Sequence, residues 1–289
     1  DWERIYDQYE ELFSLHKMTM FEMDLWMSLA YFIEQQVDYC IIEAGMGGRL
    51  DATTALDYQA CLVTNVGLDH TEYLGNTFEQ IAYEKSGIFK PNVPALTTED
   101  KPECQKVMEL VADYMNTPLC FIDCQETDVL RWNEMTFHLN PPLYQAKNLS
   151  LALETLNVLG IWLEENEIQE VIDRFQWAGR FMVLRKAPLV LLDGAHNVHG
   201  ITALTHSLKD FKGKIYFSVL KEKDAPHMIE LLQTISKDIT LVEISSARLY
   251  PLKKLGYPII TVDELISILL DTKEDSLLCG SLYYVGEVL

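Results

Sequence analysis

Hydrophobic positions along this chain alternate between short unbroken apolar runs and longer stretches with helical spacing. "TMFEMDLWMSLAYFIEQQ" sets Phe21, Leu25, Leu29, Phe32 and Ile33 on one helical face, and Thr19 with Glu22 forms a capping-box pattern. "VDYCIIEAG" follows as a short buried strand and "ACLVTNVG" as another. "TFEQIAYEKSGIF" then reads as a helix, "VPALTT" as a strand and "KPECQKVMELVADYMN" as an amphipathic helix. Residues 120–143 are less regular and hold antiparallel pieces such as "EMTFHL", after which "YQAKNLSLALETLNVLG" and "EIQEVIDRF" return to helical spacing.

A second series opens at "APLVLLDGAHN". Its strands "KIYFSV", "ITLVEI" and "DSLLCG" are separated by helical "GITALTHSLKDF", "DAPHMIELLQTIS" and "TVDELISILLD". Short strands between longer helices predict parallel sheets with helices on both faces. The expected fold is therefore α/β in two domains, residues 1–180 and residues 181–289, with the boundary in "WAGRFMVLR".

Composition narrows the function classes. No apolar run approaches the ~18 residues of a membrane span, and the chain opens on "DWERIYDQYEEL" rather than a targeting signal. A soluble, cytoplasmic monomer is the expectation. The net charge of −21 repels a phosphate backbone and argues against nucleic-acid binding. An anionic small substrate then needs a local basic pocket or a metal ion. Six scattered cysteines lack paired zinc spacing and read as reduced, structural thiols.

Ligands of open parallel sheets bind beyond the carboxyl ends of strands. Glu43 closes "VDYCII", Asp69 and His70 follow "CLVTNVG", and Asp193 closes "PLVLL" with His196 and Asn197 just after it. Gly45, Gly47 and Gly48 would let backbone N–H groups approach a ligand. A carboxylate and an imidazole meeting there could hold a hard cation, such as the magnesium of a nucleotide. Plainer readings stand beside these: Glu43 paired with Arg49, His70 in a hydrogen-bonded turn, "DGAHN" as a simple turn, and Lys85 solvated beside Glu84.

"EAGMGGRLDATT", "NVGLDHTEYLGNTFEQIAYEKSGIFKP", "AGR", "LLDGAHN" and "GSLYYVGEV" occur in this order. Together they resemble folylpolyglutamate synthase and dihydrofolate synthase of the Mur ligase superfamily, from about Thr19 to Leu289. The resemblance implies a P-loop-type ATPase domain followed by a smaller, Rossmann-like ligase domain. It implies ATP and two Mg²⁺ sites, with Glu43, His70 and a carbamylated Lys85 as metal ligands, and K⁺ as a further cation. Arg180, Asp193 and His196 match nucleotide-contacting residues, and Asn148 matches an asparagine near the adenine. Glu43, His70, Lys85 and His196 are thus the expected catalytic groups.

The implied reaction is ATP-dependent, ADP-forming amide synthesis through an acyl phosphate, joining L-glutamate to a folate γ-carboxylate or to dihydropteroate. Catalysis is then expected to need domain closure. Two readings compete: another Mur-type ligase acting on a nucleotide-linked muramyl substrate, and a non-catalytic nucleotide- or folate-binding remnant.

Two departures accompany the resemblance. No G-x-x-x-x-G-K-[ST] motif occurs, since the Gly213–Lys214 pair is followed by Ile215. The family's phosphate loop and first strand are therefore expected in a segment preceding Asp1. Thr54 stands where the family usually has asparagine, and Arg4 in "WERI" carries no assigned role.

Overall fold

The computed structural model describes residues 1–140 and 142–289, so within the irregular stretch 120–143 Pro141 lies outside the described residues. Two compact units form, Asp1–Asp123 and Cys124–Leu289. This division falls before the 180/181 boundary expected from sequence, and it makes the second unit the longer one. Residues 124–180, with their own hairpin and helices, cluster with the sheet that follows them.

In the first unit α1 (Trp2–His16) and α2 (Met20–Gln35) precede a three-stranded parallel sheet. Its strands are β1 (Cys61–Val63), β2 (Ala95–Thr97) and β3 (Leu119–Phe121), in that order. Between them lie α3 (Thr71–Leu74), α4 (Phe78–Ser86) and α5 (Pro102–Met115). Cys61, Val63, Ile81, Ala95, Cys104 and Met108 form the core between sheet and helices. The Thr19–Glu22 capping box is present as expected.

Two sequence expectations change here. Residues 37–42 form no ladder, and Ile41 is 93% exposed. A strand is defined by paired backbone groups, and among the described residues β1 pairs only with β2. The apolar character of the run is real, but among the described residues no strand pairs with it. The face of α2 is also different. Met27 is buried against Ile5 and Phe13 of α1, with Met23, Ala30 and Tyr31 beside it, while Phe21 and Ile33 stay exposed. A helix apolar on nearly all sides does not select one face by pattern alone. Arg4 is fixed by Glu34, which accepts from both of its terminal nitrogens, so it joins α1 to α2.

The second unit begins with the antiparallel hairpin β4 (Val129–Trp132) and β5 (Met135–His138), as "EMTFHL" suggested. Helices α6 (Gln145–Val158) and α7 (Glu165–Arg174) follow. Strands β6 (Met182–Lys186), β7 (Leu189–Asp193), β8 (Lys214–Phe217), β9 (Ile239–Glu243), β10 (Ile259–Thr261) and β11 (Ser276–Cys279) build one sheet. Its order is β10-β9-β8-β11-β7-β6, parallel except for β6, which runs antiparallel to β7 with a bulge between Val183 and Arg185. Helices α8 (Val198–Ser207), α9 (Ala225–Leu232), α10 (Val262–Asp271) and α11 (Leu282–Val288) flank it. The central strands are buried on both faces, with separate apolar clusters around Ile215 and Leu277 and around Leu278 and Tyr284. No helix among the described residues is long and apolar enough to cross a membrane.

All six cysteines are free thiols. Cys40 and Cys120 are exposed, while Cys61, Cys104 and Cys279 are buried. Burial pushes the Cys61 thiol up to about 11 and the Cys104 thiol up to about 12, so little thiolate exists at either near pH 8. In the native protein at that pH, a thiol reagent is expected to modify Cys40 and Cys120 quickly. Cys61, Cys104 and Cys279 should react only after denaturation; rapid native labelling of Cys104, read by peptide mass spectrometry, would contradict this core.

Candidate active site

The glycine loop after Glu43 is held by two side chains. Asp51 accepts from Met46 N at 3.0 Å and from the Thr53 amide and hydroxyl at 3.0 and 2.7 Å. Burial alone would raise its pKa, but the bonds from Thr53 and Met46 outweigh it and hold the carboxyl below the usual range. Arg49 forms a forked pair with Glu84 of α4: Nε lies 3.1 and 3.2 Å from its two oxygens and Nη2 2.8 Å from Oε1. The Arg49 amide also donates to the Glu84 carbonyl at 2.8 Å.

Those contacts exclude the plainer Glu43–Arg49 pairing, because the guanidinium is taken by Glu84. They also explain the glycines. A Cβ on Gly48 would lie 2.6 Å from Ile88 Cγ2 and 2.8 Å from the Lys85 carbonyl, and one on Gly87 would lie 2.2 Å from Arg49 Cα. Loop and helix end touch backbone to backbone there, so the nearest occupants of that space are the protein's own atoms. Thr54, the departure noted above, donates its hydroxyl to the Asp51 carbonyl at 2.7 Å and serves the same turn.

Lys85, in the last turn of α4, lies within electrostatic reach of Glu43 and Asp69. Burial pulls its ammonium below the ordinary lysine range, while the charges of Asp69 and Glu43 pull the other way. The side chain is half-buried, which counts against a fully solvated Lys85. His70 is exposed and stands at the N-cap of α3 in the left-handed region (φ 50°, ψ 37°), its amide donating to Asp69 Oδ1 at 2.9 Å. Among the described residues no group of three or more His, Cys, Asp or Glu side chains gathers at metal spacing. Lysine is not in such a set; a carbamate on Lys85 would add oxygen donors beside Glu43 and Asp69, a set that suits a hard divalent cation.

The second unit places Asp193 at the carboxyl end of β7, 3% exposed. Its two oxygens accept from Phe181 N and Ala195 N, each at 2.7 Å. Burial raises its pKa, against the pull of those amides and of Arg180 and His196. His196 Nδ1 lies 2.9 Å from the Gly194 carbonyl, so Nδ1 carries a proton there and the ring orientation is fixed. Asn197 caps α8, accepting from Gly200 N at 2.7 Å. Arg180 is exposed, and it acts electrostatically on Asp193 and Tyr144.

Tyr144 was not singled out from sequence. Burial, with Asp193 beside it, pushes its phenol well above the usual range, and Arg180 opposes that. It precedes α6 one turn before Asn148, whose amide donates to Gln145 Oε1 at 3.0 Å. Positions four apart share a helix face. The structure thus joins Arg180, Asp193 and His196 with Tyr144, and sets Asn148 next along that face. Nothing in a lone tyrosine before a helix marks it in sequence.

The Mur ligase middle domain family matches residues 5–152. The dihydrofolate synthase/folylpolyglutamate synthase of Buchnera aphidicola from Acyrthosiphon pisum is 32% identical, covering 94% of this chain and 71% of that one. The enzyme of that name from the Schizaphis graminum strain is 33% identical over 75% of this chain, which spans 54% of its length. The chain thus spans between about half and three quarters of these relatives. Escherichia coli FolC in complex with DHPP and ADP superposes with a TM-score of 0.80 at 28% identity, over 94% of this chain and 70% of that one. A bifunctional folylpolyglutamate synthase/dihydrofolate synthase with Mn, AMPPNP and L-glutamate bound gives 0.81 at 27% identity, over 94% and 71%. On its matching domain, its full-length relatives and the carboxyl-edge residues that carry the motifs, this chain belongs to the dihydrofolate synthase/folylpolyglutamate synthase family of Mur ligases.

Proposed function

We propose that the protein is an ATP-dependent, ADP-forming ligase that joins L-glutamate to the γ-carboxylate of a folate, to dihydropteroate, or to both. The observation that carries this reading is the docking of the glycine loop after Glu43 onto the helix end that bears Lys85, through the Arg49–Glu84 pair. Relatives that bind ADP, DHPP, L-glutamate and manganese support it. Residues 1–180 then serve as the ATP-binding region and residues 181–289 as the ligase domain.

A substrate carboxylate oxygen attacks the γ-phosphorus, the bond to the ADP oxygen breaks, and an acyl phosphate forms. The glutamate amine, having lost a proton, attacks the acyl carbon and phosphate leaves. Little covalent work falls to the protein, whose task is to position reactants and offset charge. Glu43, His70 and carbamylated Lys85 would hold Mg²⁺, which supplies neutralisation of phosphoryl charge when bound. Carbamylation adds CO₂ to an uncharged amine, so burial of Lys85 favours it. Asp193 orients the turn before α8 through the Phe181 and Ala195 amides, and so aims His196 at the nucleotide. Arg180 offers a positive charge to phosphate in a chain of net charge −21.

ADP release by the protein expressed from its complete reading frame tests this. Tetrahydrofolate plus glutamate is compared with dihydropteroate plus glutamate, each with and without Mg²⁺. Release that needs magnesium and both organic substrates is expected; stimulation by a UDP-muramyl substrate alone would favour the other Mur-type ligase. Glu43→Gln and His196→Ala should each lower turnover roughly 10²-fold without unfolding the protein, the usual cost of one charge-stabilising contact. Wild-type turnover in folded Glu43→Gln would remove it from the metal site. With isotopically labelled bicarbonate, a carbamate carbonyl signal should appear in NMR spectra and grow as pH rises, since the uncharged amine increases. The same signal in Lys85→Met would exclude that lysine as its source.

A further inference from the structure

Glu99 lies two residues past β2 with its side chain wholly buried. A buried carboxylate is costly unless its oxygens are met by donors. One oxygen accepts a short hydrogen bond from Val66 N, and the other accepts from Lys101 N at 2.9 Å and Lys101 Nζ at 3.1 Å. The Glu99 backbone is fixed as well: its N–H donates to Thr97 Oγ1 at 3.0 Å, and its carbonyl accepts from Gln105 Nε2 at 2.8 Å. Its neighbour Thr98 donates to the Thr64 carbonyl at 2.7 Å. The exit of β2 therefore grips the exit of β1 at two points, Thr64 and Val66.

From Val66 the chain runs through Gly67 and Leu68 to Asp69 and His70. His70 is exposed, in the left-handed region, and makes no side-chain cap bond to α3. Packing does not aim such a residue; its backbone path does. That path starts at the carboxylate of Glu99 and ends at Asp69, whose Oδ1 accepts from the His70 amide at 2.9 Å and whose charge acts on Lys85.

We infer that Thr98 and Glu99 are positioning residues that lock segment 64–70, and through it set where Asp69 and His70 stand relative to Lys85. The catalytic consequence rests on the ligase reading above; the locking does not. Both act through the Thr64–His70 backbone, to which Thr98 and Glu99 are bonded at Thr64 and Val66. A merely structural role for Glu99 would change the amount of folded protein but not the behaviour of each folded molecule.

The test uses the full-length protein and two near-isosteric variants, Glu99→Gln and Thr98→Val. Amide hydrogen exchange across peptides covering residues 64–70 is expected to quicken about tenfold in Glu99→Gln and less in Thr98→Val. The magnesium concentration for half-maximal ADP release should rise on the order of tenfold, the usual cost of losing a group that orients metal ligands, while KM for glutamate stays put. A folded Glu99→Gln protein with unchanged exchange over 64–70 and an unchanged magnesium requirement overturns the assignment. Should that variant not fold, unaltered exchange in Thr98→Val overturns it instead. A wild-type protein silent for ADP release would refute the ligase reading, and the exchange comparison would still decide whether Thr98 and Glu99 lock the segment.

Discussion

A carboxylate set against backbone N–H groups recurs in three loops of this chain, two of them at strand exits. Asp51 grips Met46 and Thr53, Glu99 grips Val66 and Lys101, and Asp193 grips Phe181 and Ala195. Parallel strands deliver polar groups to one edge of a sheet, but the connecting loops there have no ladder to hold them. An ionised carboxylate accepts from two amides at once and so fixes two points of a loop with a single side chain. Within each unit, these clamps hold the loops that carry its candidate residues.

The clamps divide labour among the acidic residues. Arg49 and Asp51 hold the glycine loop, and the charge of Glu43 at its start acts on Lys85. In the second unit Asp193 holds its turn while His196, its Nδ1 fixed by the Gly194 carbonyl, keeps one orientation. A chain with a large acidic excess thus uses several of its carboxylates as internal fasteners rather than as surface charge.

Much of this was legible in the sequence wherever pattern and pairing coincide. The second αβ series, the hairpin at "EMTFHL" and the Thr19–Glu22 cap follow local rules that tertiary contacts did not override. The residues at 37–42 show the opposite case, since an apolar run states burial tendency and says nothing of a ladder partner. The face of α2 was illegible because apolar residues surround it. Among the candidate residues, Asp193 follows from its strand end, while Glu43 and Lys85 were legible only through the motifs that contain them. Tyr144 and Glu99 were not legible, because their importance comes from neighbours distant in sequence.

The same fastening device carries opposite thermodynamic signs in the two units. Asp51 has a depressed pKa, so its clamp adds stability above the unfolded carboxylate value and loses it as pH falls through the folded one. Asp193 has a raised pKa, so its charge is a cost that sets in as pH climbs through its folded value and is relieved on acidification. Acid therefore weakens the fastener of the glycine loop while it relaxes the burden under the β7 turn. The first unit's loop is held more firmly above the acid range, while in the second unit burial of Asp193 works against its charged form.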